Sequence, residues 1–239
     1  MKIQAIIPAA GAGTRLKSTS PKPLVSIKGK PLLVYALKAF EECPLIFNVI
    51  VVAPKENIEE FRGVIKDFEI KKVVCCVAGG KRRCDSVANG LKQLDKDTEL
   101  VVIHDGARPF LTVKLLKKCI LAAQKHKAVV AAVPIKPTVK RASKSLVIQE
   151  TLKRDELWEI QTPQVFAKEM IVKAYKRLGA HTPTDDAQLV EEMGAKVKIV
   201  HGDYQNIKVT TKEDLELAEF LLSKGWLWNA LASDTTFTG

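Results

Sequence analysis

Aromatic side chains are scarce in this chain, whose 239 residues include three Trp, three Tyr and eight Phe. So few stacking surfaces disfavour a groove for single-stranded nucleic acid, which leans on aromatic platforms. The formal net charge is +11, but the 38 Lys and Arg are spread mostly singly or in pairs, and the longest basic run is Lys81-Arg82-Arg83. That distribution suits solvated surface and a site for small anions better than a continuous nucleic-acid track. Long apolar runs are missing too: nothing approaches the roughly 18 residues that a membrane helix needs. The N-terminal apolar stretch is short and leads straight into charge, so no signal peptide is expected. The five cysteines (Cys43, Cys75, Cys76, Cys84 and Cys119) form no CxxC pair and no Cys/His ligand spacing. Thiols placed in apolar runs imply a reduced, cytoplasmic protein rather than a disulfide scaffold or a zinc site. No Ser/His/Asp or Cys/His grouping suggests a covalent nucleophile.

What is present begins at the N-terminus. Ile3, Ala5, Ile6 and Ile7 predict a buried strand, and the strand runs into PAAGAGTRLKSTSPKP. Gly11 and Gly13 allow a tight backbone path and close approach of main-chain N–H groups to a ligand. Arg15, Lys17 and Lys22 add fixed positive charge. N–H groups beside cations make a seat for phosphate. The stretch fails the GxxxxGK[ST] pattern because Leu16 stands at its second Gly, and it fails GxGxxG at the same residue. A strand–GxGTR–loop–PKP arrangement remains, read as a polyphosphate-binding loop. A plain strand-to-helix turn would need neither Arg15 nor Lys22.

Apolar, β-branched runs recur at Ile3–Ile7, Val49–Ala53, Val73–Val77, Leu100–Ile103, Ala128–Val133 and Val197–Val200. Between them, Leu32–Phe40, Ser86–Leu94 and Val113–Ala123 show helical periodicity. Thr112 is placed to cap the last of these, and Thr211 with Asp214 opens a final helix reaching Leu222. Strands alternating with helices predict one α/β domain: a mostly parallel, twisted sheet with helices on both faces. The exception is the polar stretch from Pro134 to about Glu156, which predicts a β-hairpin arm turning near Ala142–Ser145. A polar hairpin has little of its own to bury and needs something to lean on, such as a partner subunit.

In open α/β sheets, ligands sit beyond the carboxyl ends of the strands. HDGARP places Asp105 and Arg108 at such an end, and AGGKRRCDS puts a second glycine pair before a helix. Asp105 could hold a divalent metal or a substrate hydroxyl, or merely cap a turn; Arg108 could pair with an anion or a carboxylate. His104 reads as structural. QTPQ (161–164), TPTDDAQ (182–188) and NIKVT (206–210) are polar interruptions beside apolar runs, and alternation sets Lys208 opposite Ile207 and Val209. Glycines, cations, a strand-end carboxylate and threonines suit phosphoryl or nucleotidyl transfer, where positioning and charge neutralisation do most of the catalysis.

From Ile3 to about Leu222 the chain resembles the 2-C-methyl-D-erythritol 4-phosphate cytidylyltransferases of the non-mevalonate isoprenoid pathway. The ordered motifs are PAAGAGTR (8–15), PK (21–22), GGxxRxDS (79–86), HDGARP (104–109), TVKR (138–141), R-x3-W (154–158), TPQ (162–164), TDD (184–186) and NIKVT (206–210). The related ribitol-5-phosphate cytidylyltransferases typically carry an LAGG-type loop and DAVRP, so PAAG, DGARP and TVKR favour the methylerythritol enzyme. Lys81 stands where an acidic residue is common, and Ala12 replaces a larger one.

The resemblance implies a single-domain, Rossmann-like nucleotidyltransferase fold, with CTP and a sugar-alcohol phosphate as substrates. The backbone of Ala9, Ala10, Gly11 and Gly13 would line the nucleotide, with Gly80 and Ser86 near base and ribose. Arg15 and Lys22 would stabilise the transition state at the triphosphate, and Arg154 and Lys208 would position the attacking phosphate. Asp105, Arg108, Thr138, Thr162 and Thr184 would assist. Mg²⁺ would ride mainly on the phosphates, with Asp105 its candidate protein ligand. Thr138 and Arg154 would lie on an arm exchanged between the subunits of a homodimer, which is what the unpacked hairpin calls for. Nucleotide sensing without catalysis, nucleic-acid binding and transfer to ribitol-5-phosphate are the competing readings.

Overall fold

The structure, a computed structural model, describes residues 1–11, 21–180 and 182–225. Gly13 and Arg15 of the glycine loop, and the tail from Trp226, lie outside the described residues. The elements in chain order are β1 (Lys2–Pro8), β2 (Ser26–Ile27), β3 (Lys30–Pro31), α1 (Leu32–Glu42), β4 (Asn48–Ala53), α2 (Ile58–Asp67), β5 (Val73–Ala78) and α3 (Arg83–Leu91). They continue with β6 (Thr98–Ile103), α4 (Val113–His126), β7 (Ala128–Pro134), β8 (Lys140–Ala142), β9 (Ile148–Thr151), β10 (Trp158–Ala167), α5 (Lys168–Tyr175), α6 (Asp186–Glu191), β11 (Lys198–His201) and α7 (Lys212–Ser223). Seven strands form the main sheet in the order β11-β7-β10-β6-β1-β4-β5. All neighbours pair in parallel except β10, which runs antiparallel between β6 and β7.

The six apolar runs seen in the sequence mark six strands of this sheet, with Val197 just ahead of β11. Those of β1, β4, β6 and β7 bury both faces, while β5 and β11, at the two edges, are partly exposed. Alternate residues divide between two cores, as the two-residue period of a strand requires. Ile3, Ala5, Ile7, Val49, Val51 and Val102 pack with Leu37 and Phe40 of α1, Phe61 of α2 and Ile120 of α4. Ile6, Ile50, Val52, Val101 and Ile103 face the other way, towards Val87 of α3, Ile171 of α5 and Val190 of α6. A third cluster joins Ile27, Leu32, Phe110 and Val209 to Ala218 of α7. The predicted caps are in place: the Thr112 hydroxyl accepts from the Leu115 amide, and Thr211 and Asp214 form a reciprocal capping box.

The structure differs from the sequence-based expectation at several places. β10 contains QTPQ, which looked like an interruption because it is polar. Its Gln164 is fully buried yet satisfied, donating to Asp185 Oδ2 and accepting from the Ala187 amide. The helix after the second glycine pair begins at Arg83 rather than Ser86, and α2, α5 and α6 have charged outer faces that mask their period. Residues 206–210 form no strand, although Val209 is buried and donates its amide to the Ala107 carbonyl. The arm is present as the β8–β9 hairpin with every strand residue exposed, and its turn lies at residues 143–147.

Two helical glycines show what sets the distance from helix to sheet. A Cβ on Gly90 of α3 would meet Ile6 Cγ2 at 2.5 Å and Val52 Cγ2 at 3.2 Å, whereas one on Gly63 of α2 meets nothing within 4 Å. β-branched side chains are stiff and cannot swing clear. Gly63→Ala is therefore expected to stabilise the protein by about 0.5–1 kcal/mol through helix propensity. Gly90→Ala, with the same propensity gain, is expected to destabilise it because overpacking costs about 1–3 kcal/mol. Urea midpoints of the two variants should move in opposite directions; equal shifts would refute close packing at Gly90.

Candidate active site

Two cavities open along the carboxyl edge of the parallel strands. The smaller, about 320 Å³, is lined by Ala9, Ala10 and Gly11 after β1, by Lys22, by Gly80 to Arg83 and Ser86 around the start of α3, and by Asp105 and Lys208. The larger, about 410 Å³, is lined by Arg83, Asp105, Arg108, Thr162, Gln164, Thr184, Asp185, Gln188 and Lys208 among others. Arg83, Asp105 and Lys208 belong to both walls. Another groove, about 680 Å³, includes Thr98, Lys127 and Ala167 and lies at the opposite edge of the sheet, away from these residues.

The glycine pair before α3 is a matter of close approach. A Cβ on Gly79 would fall 2.3 Å from Ala10 Cβ and 2.8 Å from Ser86 Oγ, and one on Gly80 would fall 2.3 Å from Asp85 Cβ. With hydrogen there instead, the first loop packs directly on α3, and the Gly80 amide donates to Ser86 Oγ at 3.1 Å. At the start of α3 the Asp85 carboxylate accepts from the Arg82 amide and pairs with its guanidinium, and Arg82 also reaches the carbonyls of Gly179 and Ala180.

Asp105, two residues after β6, is the hub. Its Oδ1 accepts from Arg83 Nε at 2.9 Å, its Oδ2 lies 2.7 Å from Lys208 Nζ, and Arg108 Nε stands 3.9 Å from Oδ2. Burial alone would push this carboxyl up, but the three cations outweigh it and hold it well below the usual carboxylate range. Arg83 is in turn bidentate to Asp186, at 3.0 and 2.8 Å, and Tyr175 donates its hydroxyl to Asp186 Oδ1. Burial pulls the Arg83 guanidinium down, yet Asp186 and Asp105 hold it well above its ordinary value. Lys208 is thus an ion-paired residue with its side chain 36% exposed, not a solvated surface lysine. Arg108 is buried; it donates to the carbonyls of Asn206 and Ile160, and its Nε has no hydrogen-bond partner.

Beneath the hub, the Asp105 amide donates to Thr162 Oγ1, the Thr162 hydroxyl bonds His104 Nδ1, and His104 Nε2 meets the Arg108 carbonyl. The carbonyl accepts only, so Nε2 carries the ring proton and the Thr162 hydroxyl donates to Nδ1. His104 is structural, as expected. The Thr184 amide and hydroxyl both donate to Gln188 Oε1 at the entry to α6. Ala9, Ala10, Gly11, Lys22, Gly80, Ser86, Asp105, Arg108, Thr162, Thr184 and Lys208 are therefore gathered at one edge. Thr138 and Arg154, on the exposed arm, line neither cavity of their own chain.

Among the described residues, no group of three or more His, Cys, Asp or Glu is arranged to hold a metal ion. Asp105 faces both cavities, but with its oxygens already on Arg83 and Lys208. Such a donor set suits a cation carried in on phosphate oxygens better than one caged by protein. Sequence reasoning assigns no role to Arg83 and Asp186, though both stand inside the GGxxRxDS and TDD motifs. A pair separated by 103 positions is visible only once the fold joins α3 to α6.

The family model for 2-C-methyl-D-erythritol 4-phosphate cytidylyltransferase matches residues 3–224. A relative of that name from Caldanaerobacter subterraneus subsp. tengcongensis is 47% identical over 94% of this chain and 100% of its own length. One from Syntrophus aciditrophicus is 44% identical, covering 93% and 97%. Among solved structures, the 4-diphosphocytidyl-2C-methyl-D-erythritol synthase of Anaerococcus prevotii superposes with a TM-score of 0.83 at 36% identity, over 93% of this chain and 96% of that one. The cytidylyltransferase of Thermus thermophilus gives 0.78 at 30% identity, over 93% and 100%. The mostly parallel sheet with helices around it is the fold of these nucleotidyltransferases.

Burial holds the His104 ring neutral, lowering its pKa from 6.5 to about 4. Below pH 6.5 the unfolded chain takes up a proton that the folded chain refuses, so stability falls as pH drops from 6.5 towards 4. The loss grows to about 3 kcal/mol. Asp105, lowered in the fold, contributes stability above the usual carboxylate pKa that is lost only at lower pH. Denaturant unfolding at pH 7 and pH 5 should show the His104 loss in the native protein and a flatter dependence in His104→Gln. An unchanged slope would show that His104 charges in the folded state.

Proposed function

The chain belongs to the 2-C-methyl-D-erythritol 4-phosphate cytidylyltransferase family, and from that premise we propose how its two cavities divide the reaction. It is a nucleotidyltransferase that moves the cytidylyl group of CTP onto 2-C-methyl-D-erythritol 4-phosphate in isoprenoid precursor biosynthesis. The products are 4-diphosphocytidyl-2-C-methyl-D-erythritol and pyrophosphate. The observation that carries the division is the wall of Arg83, Asp105 and Lys208 common to both cavities. A reaction between two phosphates needs two anion sites that meet at cations.

CTP occupies the smaller cavity, its phosphates on the Ala9–Gly11 backbone with Lys22 and Arg15, its base and ribose near Gly80 and Ser86. The sugar phosphate occupies the larger cavity. One of its oxygens attacks the α-phosphorus, the bond to the bridging oxygen breaks, and pyrophosphate leaves with the electron pair. The nucleophile is already ionised, so no general base is required. The barrier lies in bringing a dianion to a tetra-anion, and Arg15, Lys22, Lys208 and Arg108 relieve it. Mg²⁺ on the triphosphate would supply further charge neutralisation. Thr162, its hydroxyl committed to the Asp105 amide and His104, acts by holding Asp105 in place. The working protein is a cytoplasmic homodimer in which Thr138 and Arg154 of one arm complete the partner's larger cavity. Five free thiols and an exposed arm remote from its own chain's cavities support these two readings.

Pyrophosphate release should be rapid with CTP and 2-C-methyl-D-erythritol 4-phosphate and slow with CTP and ribitol-5-phosphate. The reverse order would transfer the assignment to the ribitol enzyme, and CTP binding without release would make the chain a sensor.

The shared site has its own test. Lys22→Ala is expected to lower kcat by about 10²–10³, the usual loss of one preorganised donor, and Arg154→Ala to be nearly inactive as well. Mixed and allowed to exchange, half of the dimers contain one of each, and every such dimer holds one intact site. Activity should recover to about a quarter of wild type by random pairing of symmetric subunits. No recovery, with exchange verified by mass spectrometry of differently labelled chains, would place each arm in its own subunit's site.

A further inference from the structure

The arm leaves the core at Pro134 and returns at Trp158, and one loop of the core grips it where it leaves. Tyr204, in the segment between β11 and α7, donates its hydroxyl to the Pro134 carbonyl at 2.8 Å. The Lys136 ammonium lies 3.5 Å from the centre of the Tyr204 ring. The Lys136 carbonyl accepts from Arg154 Nη1 at 3.3 Å, across the arm. The stem closes with Ile135 N donating to the Leu157 carbonyl at 3.1 Å.

The gripping loop is itself tied down. Gln161 of β10 donates to the Asp203 carbonyl and accepts from the Asp203 amide, and Asn206 donates to the Thr162 carbonyl. Two residues beyond Asn206, Lys208 reaches Asp105. A single strapped loop therefore holds a cation of its own cavity and the root of the arm.

We propose that Tyr204 and Lys136 form a clamp that sets the direction in which the arm leaves the core, and so positions Thr138 and Arg154 for the site they complete. The physical reason is leverage. The hairpin strands beyond the clamp are exposed along their length and bury no side chain, so small rotations at the stem become large displacements further along. A cation held against a ring face, with the hydroxyl of the same ring on a carbonyl two residues earlier, fixes the stem at two points. Tyr204 and Lys136 are positioning residues that act through Arg154, and the proposal rests on the reading of the arm given above.

Steady-state kinetics on the full-length dimer tests it, with Arg154→Ala as reference. Tyr204→Leu and Lys136→Met should each raise KM for 2-C-methyl-D-erythritol 4-phosphate about tenfold, with KM for CTP unchanged, because misplacing a substrate-positioning group is felt at that substrate alone. Tyr204→Phe, which keeps the ring under the lysine, should recover most of the loss. Adding Tyr204→Leu to Arg154→Ala should cost nothing further, since the clamp acts through the arginine. Additive losses in the double variant, or normal kinetics in Lys136→Met with Arg154→Ala inactive, would overturn the clamp while leaving the arm's role intact. Near-normal activity of Arg154→Ala would overturn both. Lys136 is exposed, so its variant carries the test should Tyr204→Leu fail to fold.

Discussion

The buried carboxylate of Asp105 is what allows this cleft to hold its cations together before any substrate arrives. Arg83, Lys208 and Arg108 converge on it, and without it their mutual repulsion would have to be relieved by moving apart or by losing charge. A second buried carboxylate, Asp186, shares Arg83. Arg83 and Lys208 stand at the junction of the two cavities and Arg108 in the larger one, where two phosphates can meet them. The pairs are partly desolvated, so they are weak evidence for stability. They preorganise donors for a negative ligand, and preorganised donors need little reorganisation when charge develops.

Each partner of Asp105 arrives from a different layer of the fold. Arg83 opens α3, which sits close to β1 and β4 because Gly90 has no Cβ to keep it away. Arg108 follows β6 in a turn anchored by Phe110 in the third core cluster. Lys208 lies between Ile207 and Val209, and the same cluster takes up both neighbours. The apolar pair buries itself and leaves the lysine directed at the cleft. Hydrophobic burial thus aims the charged groups, and the ion pairs follow from where the chain has already been placed.

β10 supplies the remaining constraint. Running antiparallel between β6 and β7, it carries Thr162 to the carboxyl edge, where the hydroxyl bonds the Asp105 amide and His104. The pairing of β10 with β7 breaks register between Ile160 and Gln164, which frees Gln161 and Thr162 to face the 203–206 loop and the hub. The arm emerges from the same pair of strands, so the geometry of the cleft and of the arm share one origin.

The sequence by itself determined the six parallel strands, the helices of α1, α3 and α4, two caps, the hairpin arm and the glycine–cation character of the first loop. Each of these is local: a period of two or 3.6 residues, a Thr before an apolar run, or a glycine beside charge, all settled by neighbours within one element. It also placed Asp105, Arg108 and Lys208 near the chemistry, through strand ends and through motif resemblance. Only the tertiary structure decided that QTPQ is a strand, that Arg83 binds Asp186 and Asp105 together, that Lys208 is an ion pair rather than a surface lysine, and that Tyr204 grips the arm. A buried polar strand such as 161–164 has no hydrophobic period to betray it, because its glutamines are satisfied by partners far along the chain. Ion pairs spanning 22 and 103 positions form only after the sheet has brought α3, β6 and α6 to one edge, since charge pairing at that distance depends on where burial has put the backbone.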